Sequence, residues 1–124
     1  MTIQRGEIYL CDLGKNIGSE QSGFRPVLVI QNNVGNKYSP TVIVSAITSS
    51  LNKAELPTHI KIIASECGLP ENSIVLLEQI RTLDKSRLKT KIGNVNSETL
   101  KKIDIALAVS IGIGEEKRWM SKKF

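Results

Sequence analysis

One stretch of the chain passes abruptly from a polar loop to an apolar strand. Gly18 and Gly23 bracket the loop, Arg25 follows it, and Pro26 begins the apolar segment 27–30. Proline fixes its own φ and favours an extended residue before it, so we expect Arg25 at the mouth of a buried strand. A loop at the edge of such a rigid strand is a common place for binding residues. An arginine in a solvated turn would have the same local sequence, because glycine, serine and glutamine are ordinary turn residues.

Short strands make up most of the chain, and one helix follows them. Polar–apolar alternation or β-branched content predicts strands at residues 6–13, 27–31, 41–48, 59–62 and 73–81. Residues 32–37 and 66–72 are rich in turn formers and are predicted to be turns. Asn96 is placed to cap a helix that ends near Ile111, since apolar residues recur there at helical spacing. The pattern predicts a mainly β domain: a small, strongly curved antiparallel sheet or barrel with a C-terminal helix packed against it.

Composition narrows the possible chemistry. The 124 residues fit one domain, and the formal net charge of +5, from 17 basic and 12 acidic residues, is compatible with a polyanionic partner. His59 is the only histidine, and Cys11 and Cys67 are not spaced as metal ligands. A zinc site, a Ser-His-Asp triad or a two-histidine ribonuclease mechanism is therefore disfavoured. We expect two free, buried thiols and a structural histidine.

The chain is expected to be cytoplasmic and not bound to a membrane. Its N-terminal residues lack the apolar core of a signal peptide, and its apolar runs are too short to cross a bilayer. Aromatic residues make up only 4% of the chain, so base stacking cannot be the main means of recognising a nucleic acid.

A row of basic residues is predicted before the helix. Asp84 is placed to cap a short helical turn. Arg87, Lys89 and Lys91 then alternate with uncharged residues, which puts three positive charges on one strand face. Such a row attracts an RNA backbone, and it is also typical of a solvated edge strand, where lysine discourages aggregation.

Several blocks of sequence, in order, resemble the MazF/PemK toxin family, and most of all its Gram-positive branch. The blocks are residues 5–9, 18–21, 25–32, 39–41, 46–48, 56–59 and 77–84, and the likeness covers roughly residues 3–113. The resemblance implies the toxin of a type II toxin–antitoxin pair: a sequence-specific endoribonuclease that cleaves single-stranded RNA without metal or other cofactor and so inhibits translation. It implies an SH3-like antiparallel β-barrel with a C-terminal helix, as in the CcdB/PemK-like fold.

The resemblance also implies an assembly and a division of the chain. Residues 1–114 would form a single toxin domain. Residues 115–124, which are of mixed charge and contain Trp119, would be a C-terminal tail that is either frayed or docked on a partner. The toxin would be a homodimer. Its partner would be a cognate antitoxin whose C-terminal segment blocks the RNA site.

The family's catalytic pair maps onto Arg25 and Thr48. In the implied reaction the ribose 2′-hydroxyl attacks the adjacent phosphate and leaves a 2′,3′-cyclic phosphate and a 5′-hydroxyl. A planar guanidinium matches the charge that grows on the phosphorus oxygens, and it is a poor proton shuttle, so Arg25 is expected to be a stabiliser. Thr48 would bind a phosphate oxygen or orient the 2′-hydroxyl, unless it only satisfies a turn. Glu20 is a candidate base or a reader of a base edge.

Further RNA-binding candidates fall into two groups. One group has hydroxyl, amide or carboxylate side chains of the kind that read base edges: Ser19, Gln21, Ser73, Glu78 and Gln79. Arg87, Lys89 and Lys91 are candidates for contacts to the RNA backbone.

Two other functions remain open at this point. A CcdB-type toxin on the same barrel blocks a topoisomerase and cleaves nothing, but it needs neither Arg25 nor Thr48. A general RNA-binding domain is disfavoured by the low aromatic content.

Overall fold

The computed structural model describes residues 2–15, 17–18, 22–51 and 55–114. Its elements in chain order are β1 (Glu7–Asp12), β2 (Phe24–Val29), α1 (Asn33–Tyr38), β3 (Thr41–Thr48), β4 (His59–Ile62), α2 (Ala64–Cys67), β5 (Ser73–Asp84), a 3-10 turn (Lys85–Arg87), β6 (Leu88–Asn94) and α3 (Ser97–Ser110). The six strands form one sheet in the order β4-β5-β3-β2-β1-β6. Every neighbouring pair is antiparallel. The predicted tail, 115–124, lies outside the described residues.

Local signals set the ends of most elements. The Asn96 side chain accepts a hydrogen bond from the Thr99 amide at 2.9 Å, which caps α3 as predicted. Asp84 caps the 3-10 turn in the same way, accepting from the Ser86 amide at 2.9 Å. The predicted strands at residues 41–48 and 59–62 match β3 and β4 in full, while β5 continues three residues beyond its predicted end.

The turn predicted at residues 32–37 is wrong, because α1 occupies most of it. Asn32 caps this short helix by accepting from the Gly35 amide at 2.8 Å. Inside it, the buried Asn36 donates to the Gln31 carbonyl at 2.9 Å and accepts from the Gln31 side chain at 3.1 Å. A buried amide pair thus stabilises a helix in a sequence of turn formers. The turn predicted at 66–72 likewise begins inside α2, which ends at Cys67 and is capped by Gly68.

Two apolar clusters lie on opposite faces of the sheet. One packs α3 against the strands and includes Ile8, Leu28, Val75 and Ile103. The other includes Tyr9, Val27, Val29 and Val44 and lies on the face toward which Cys11 points. Cys11 and Cys67 are both buried and free, as predicted. Successive side chains of a strand point to opposite faces of the sheet, so each strand contributes alternate residues to the two clusters.

The sheet curves until its two ends meet through backbone contact. β4 and β6 are its edge strands, and α2 with Gly68 follows β4 directly. A Cβ atom on Gly93 of β6 would lie 2.0 Å from the Cys67 carbonyl oxygen, and one on Gly68 would lie 2.8 Å from the Ile92 oxygen. The predicted barrel is therefore a curved sheet whose open side is covered by α2.

Among the described residues, none of the helices has the length and apolar character that a membrane span requires.

Candidate functional site

The loop between β1 and β2 is closed at its neck by backbone hydrogen bonds. The Leu13 amide donates to the Gly23 carbonyl at 2.9 Å, and the Gly23 amide donates to the Gly14 carbonyl at 2.7 Å. Asp12 adds a third bond by accepting from the Gly14 amide at 2.9 Å. Gly14 and Gly23 have φ of +70° and +75°, a region that other residues adopt only with strain. The neck therefore depends on glycine at both sides.

Arg25 lies just beyond this neck, on the second residue of β2. It is opposite Cys11 of β1. On the other side of β2, Val27 pairs with Ala46 of β3, and continuing that register by two residues places Arg25 opposite Thr48. Opposite residues of antiparallel strands present their side chains on the same face. The fold thus brings the two predicted catalytic residues to one end and one face of the sheet.

The two side chains have different environments. Arg25 is exposed, and its Nε donates to the Ser22 carbonyl at 3.1 Å, which directs the guanidinium back over the loop. Thr48 is 5% exposed, and its Oγ1 accepts from the Ser50 amide at 3.1 Å. The threonine does satisfy a turn, yet that bond uses only its oxygen as acceptor, so its hydroxyl hydrogen is still available to a ligand.

Two further arginines converge on the loop neck. Arg81 of β5 donates from Nη1 to the Leu13 carbonyl at 2.7 Å. Arg87 lies with Nη2 3.3 Å from the position of a Cβ on Gly14. Burial raises the pKa of the Cys11 thiol between them, and the positive charges of Arg87, Arg81 and Lys89 oppose that rise. Arg25, Arg81 and Arg87 form no ion pair among the described residues. Two carboxylates lie in the same region: Asp12 also acts on Cys11, and Asp84 interacts with the charge of Arg87.

The predicted row of three basic side chains on one strand face is wrong. Arg87 belongs to the 3-10 turn and precedes β6. The pairing of β6 with β1 shifts twice, so that Lys89 and Ile92 have no partner in the register. These bulges break the alternation on which the row depended. The charges of Arg87 and Lys89 still act on Cys11, whereas Lys91 forms an ion pair with Glu7.

Lys91 belongs to a structural network around Glu7. Its Nζ lies 2.6 Å from one Glu7 carboxylate oxygen, and the other oxygen accepts from the Gln4 amide at 2.7 Å and the Tyr9 hydroxyl at 3.0 Å. Burial alone would raise the pKa of Glu7, but these bonds and the Lys91 charge hold it below its ordinary value of 4.5. Burial, together with the Glu7 carboxylate, raises the pKa of Tyr9 to about 12.

Glu78 and Gln79 lie where β5 bulges. β3 and β5 pair regularly up to Ser45 opposite Ile80, and the next pair is Ala46 opposite Leu76. Three residues of β5, 77–79, are therefore out of register, and the strand bends there. The Leu77 amide donates to the Thr58 carbonyl at 2.9 Å. The sequence placed Glu78 and Gln79 at the rim of the core, but the bulge itself has no local signal.

Glu78 is held by the side chain that precedes β4, Thr58, and by the first side chain of β4, His59. Thr58 Oγ1 donates to one carboxylate oxygen at 2.9 Å, and His59 Nε2 lies 2.8 Å from the other. The His59 side chain is 5% exposed and that of Glu78 36% exposed. His59 is thus a supporting residue, as expected of a lone strand histidine, and the carboxylate is fixed while still open to solvent.

Ser73 begins β5 on the wall of a nearby pocket. It is 3% exposed, and its hydroxyl donates to the Glu71 carbonyl at 2.9 Å. The pocket has a volume of about 330 Å³ and is also lined by His59, Leu51 and Ile63. Ser73 is therefore near the Glu78 support but is already engaged by its own backbone.

Three of the predicted site residues, Ser19, Glu20 and Gln21, lie outside the described residues. Within the described ranges, no group of three or more histidine, cysteine, aspartate or glutamate side chains is arranged to hold a metal ion. Arg81 and Thr58 belong to the site but were not among its predicted residues. The sequence signals for Arg81 were its place at the end of a predicted strand and within the family-like block 77–84.

Comparison with known proteins identifies the family of the chain. Residues 4–111 match the model of a family described as the PemK-like, MazF-like toxin of type II toxin–antitoxin systems. The chain is 51% identical over 113 residues to Endoribonuclease EndoA of Bacillus subtilis (strain 168), covering 91% of this chain and 97% of that protein. It resembles a solved endoribonuclease in complex with its cognate antitoxin from a mycobacterial species, with 30% identity, a TM-score of 0.76 and coverage of 90% and 97%.

A MazF structure from Deinococcus radiodurans has the same fold, with a TM-score of 0.77, 21% identity and coverage of 91% and 99%. The curved antiparallel sheet with a C-terminal helix is thus that of the MazF toxins, and the predicted fold class is confirmed. The chain belongs to the family of PemK-like, MazF-like toxins of type II toxin–antitoxin systems.

Proposed function

We propose that this toxin is an endoribonuclease that cleaves single-stranded RNA at specific sequences and so inhibits translation. The ribose 2′-hydroxyl attacks the adjacent phosphate, and the products are a 2′,3′-cyclic phosphate and a 5′-hydroxyl. The observation that carries the proposal is the pairing of β2 with β1 and β3, whose register, extended two residues beyond Val27 and Ala46, puts Arg25 opposite Thr48 beside the loop neck. The 51% identity to a protein named an endoribonuclease supports the reaction type.

Arg25 stabilises the transition state in this proposal. As phosphorus becomes five-coordinate, negative charge grows on its oxygens, and a guanidinium can donate to two of them in parallel. Because Nε is bonded to the Ser22 carbonyl, the terminal nitrogens are the donors directed at the phosphate. Removal of such a preorganised donor commonly lowers the rate about 10²–10³-fold.

Thr48 and Glu20 complete the proposed reaction centre. Thr48 donates its hydroxyl hydrogen to a phosphate oxygen or to the 2′-oxygen, while the Ser50 amide keeps its side chain in place. Glu20 is proposed either as the base that receives the 2′-hydroxyl proton or as a reader of a base edge. No metal or other cofactor takes part in the proposed reaction.

RNA binding is proposed to divide between charge and base readout. Arg87 and Lys89 lie near the loop neck and attract the phosphate backbone, a contribution that salt weakens. Lys91 contributes less, because Glu7 already neutralises it. Base edges are read by Glu78 and Gln79 at the bulge, by Ser19 and Gln21 in the loop, and by Ser73 once its hydroxyl turns from the Glu71 carbonyl.

The toxin is proposed to act as a homodimer and to be inhibited by a cognate antitoxin. The related mycobacterial endoribonuclease was solved in complex with its own antitoxin, which supports the second part. The antitoxin's C-terminal segment would cover the RNA site.

The experiment is cleavage of a mixed-sequence single-stranded RNA by the purified protein in excess chelator, followed by mapping of both new ends. We expect cuts within one short sequence, with 2′,3′-cyclic phosphate and 5′-hydroxyl ends. Binding without cleavage would favour a general RNA-binding domain. Neither binding nor cleavage would favour a CcdB-type toxin, and 3′-hydroxyl ends or loss of activity in chelator would refute the proposed chemistry.

A further inference from the structure

Arg81 makes a contact that ordinary strand pairing does not explain. It lies on β5, opposite Val44 of β3, and its Nη1 donates to the Leu13 carbonyl at the end of β1. In the sheet order, β3 and β2 lie between β5 and β1. Three strand spacings in a flat sheet amount to about 14 Å, which is beyond the reach of an arginine side chain. The bond therefore crosses the concave face and exists only because the sheet curves.

The carbonyl that Arg81 binds belongs to the loop neck. Leu13 is the residue whose amide donates to the Gly23 carbonyl, and Arg25 follows Gly23 by two positions. On the other side, Arg81 follows Glu78 and Gln79 along β5. One hydrogen bond thus ties the loop neck beside Arg25 to the strand that carries two proposed base readers.

We infer that Arg81 is a positioning residue for RNA cleavage, which holds the loop neck beside Arg25 in register with the base readers of β5. The inference rests on the proposed function. Misplacing a catalytic group by about 1 Å can cost up to about 100-fold in rate even when the group itself is intact. Loss of the Arg81 bond removes one of the contacts that hold Leu13, loosens the neck and lets Arg25 move relative to the bound base. The expected effect is therefore on kcat more than on KM.

Arg5 offers a matched control. Its Nε donates to the Ile30 carbonyl at 2.8 Å, and its guanidinium pairs with Asp104 at 2.8 Å. It is thus another arginine that binds a backbone carbonyl, but its contacts are to the end of β2 and to α3, away from the loop neck. Arg5→Met removes a comparable bond and one positive charge without touching the proposed site.

The test compares wild type, Arg81→Met, Arg81→Lys and Arg5→Met by steady-state RNA cleavage and by amide hydrogen exchange. We expect Arg81→Met to lower kcat about 10–100-fold with KM changed less than about threefold. The amides of Leu13 and Gly23 should exchange faster in that variant. Arg81→Lys, whose ammonium can still reach the carbonyl, should recover part of kcat. Arg5→Met should leave both kcat and these two amides unchanged.

Wild-type kcat in Arg81→Met, or a loss confined to KM with unchanged exchange at Leu13 and Gly23, would overturn the inference. If Arg81→Met does not fold, Arg81→Lys decides: slower turnover with faster neck exchange supports the inference, and wild-type values for both refute it. If the wild-type protein cleaves no RNA, the proposed function fails separately. The rates of amide hydrogen exchange at Leu13 and Gly23 then still show whether Arg81 holds the neck.

Discussion

Replacing Gly93 with alanine tests how the curved sheet is closed. The new Cβ would lie 2.0 Å from the Cys67 carbonyl oxygen and 2.9 Å from its carbon, where ordinary contacts begin near 3.4 Å. β6 or α2 must therefore move by about 1.4 Å, the difference between 3.4 and 2.0 Å. Both contacting groups are backbone, so no side chain can turn aside. We expect a loss of about 3 kcal/mol or more in the free energy of unfolding, at or above the upper end for overpacked cores.

Urea unfolding followed by far-UV circular dichroism measures this loss, and the thermal midpoint should fall by about 10 °C or more. Gly114→Ala is the control, because nothing lies within 4 Å of its Cβ position and only its φ of +70° opposes alanine. That strain costs about 1–2 kcal/mol. A Gly93→Ala protein within about 1 kcal/mol of wild type would refute closure of the sheet by the contact of Gly93 with α2.

Three further changes test the network around β1, the bulge and the helix. Glu7→Gln should cost about 2 kcal/mol at neutral pH. The pKa of Glu7 in the folded protein lies below its ordinary value of 4.5. The loss of unfolding free energy in Glu7→Gln should therefore be complete above pH 4.5 and should disappear as the pH falls through the lowered pKa. Glu98→Gln, at an exposed carboxylate, should change the unfolding free energy little. Thr58→Val removes the 2.9 Å bond to Glu78 and should raise KM for RNA about fivefold, which is equivalent to about 1 kcal/mol. An unchanged KM would contradict the supporting role of Thr58. Asn96→Ala removes the cap of α3 and should cost about 1 kcal/mol in urea unfolding; no loss would contradict the capping role.

The elements that the sequence predicts well are those set by local chemistry. The Asn96 cap and the β-branched run of β3 act within a few residues, so their signals are complete in the sequence. α1 was not predicted, because its stability comes from an amide pair between Asn36 and Gln31, which lies outside the helix. Turn-forming composition alone pointed the other way.

The site shows the same division. Arg25 and Thr48 were predicted as a catalytic pair from the family resemblance, and the β2–β3 register, extended by two residues, puts them opposite each other. The basic row failed because two bulges in β6 have no local signal and shift the side chains off one face. Arg81 was not predicted, since its bond to Leu13 depends on the curvature of the whole sheet.

The most direct test of the proposed function is the cleavage rate of Arg25→Ala and Arg25→Lys, measured in chelator beside wild type and an Arg5→Ala control. We expect Arg25→Ala to lose about 10²–10³-fold in rate while its unfolding midpoint stays at the wild-type value, because the side chain is exposed. The cleavage rate of Arg25→Lys should lie between those of wild type and Arg25→Ala, since lysine keeps the charge but not the paired donors. Arg25→Ala cleaving the same RNA at the wild-type rate would contradict the assignment of Arg25 as the group that stabilises the transition state.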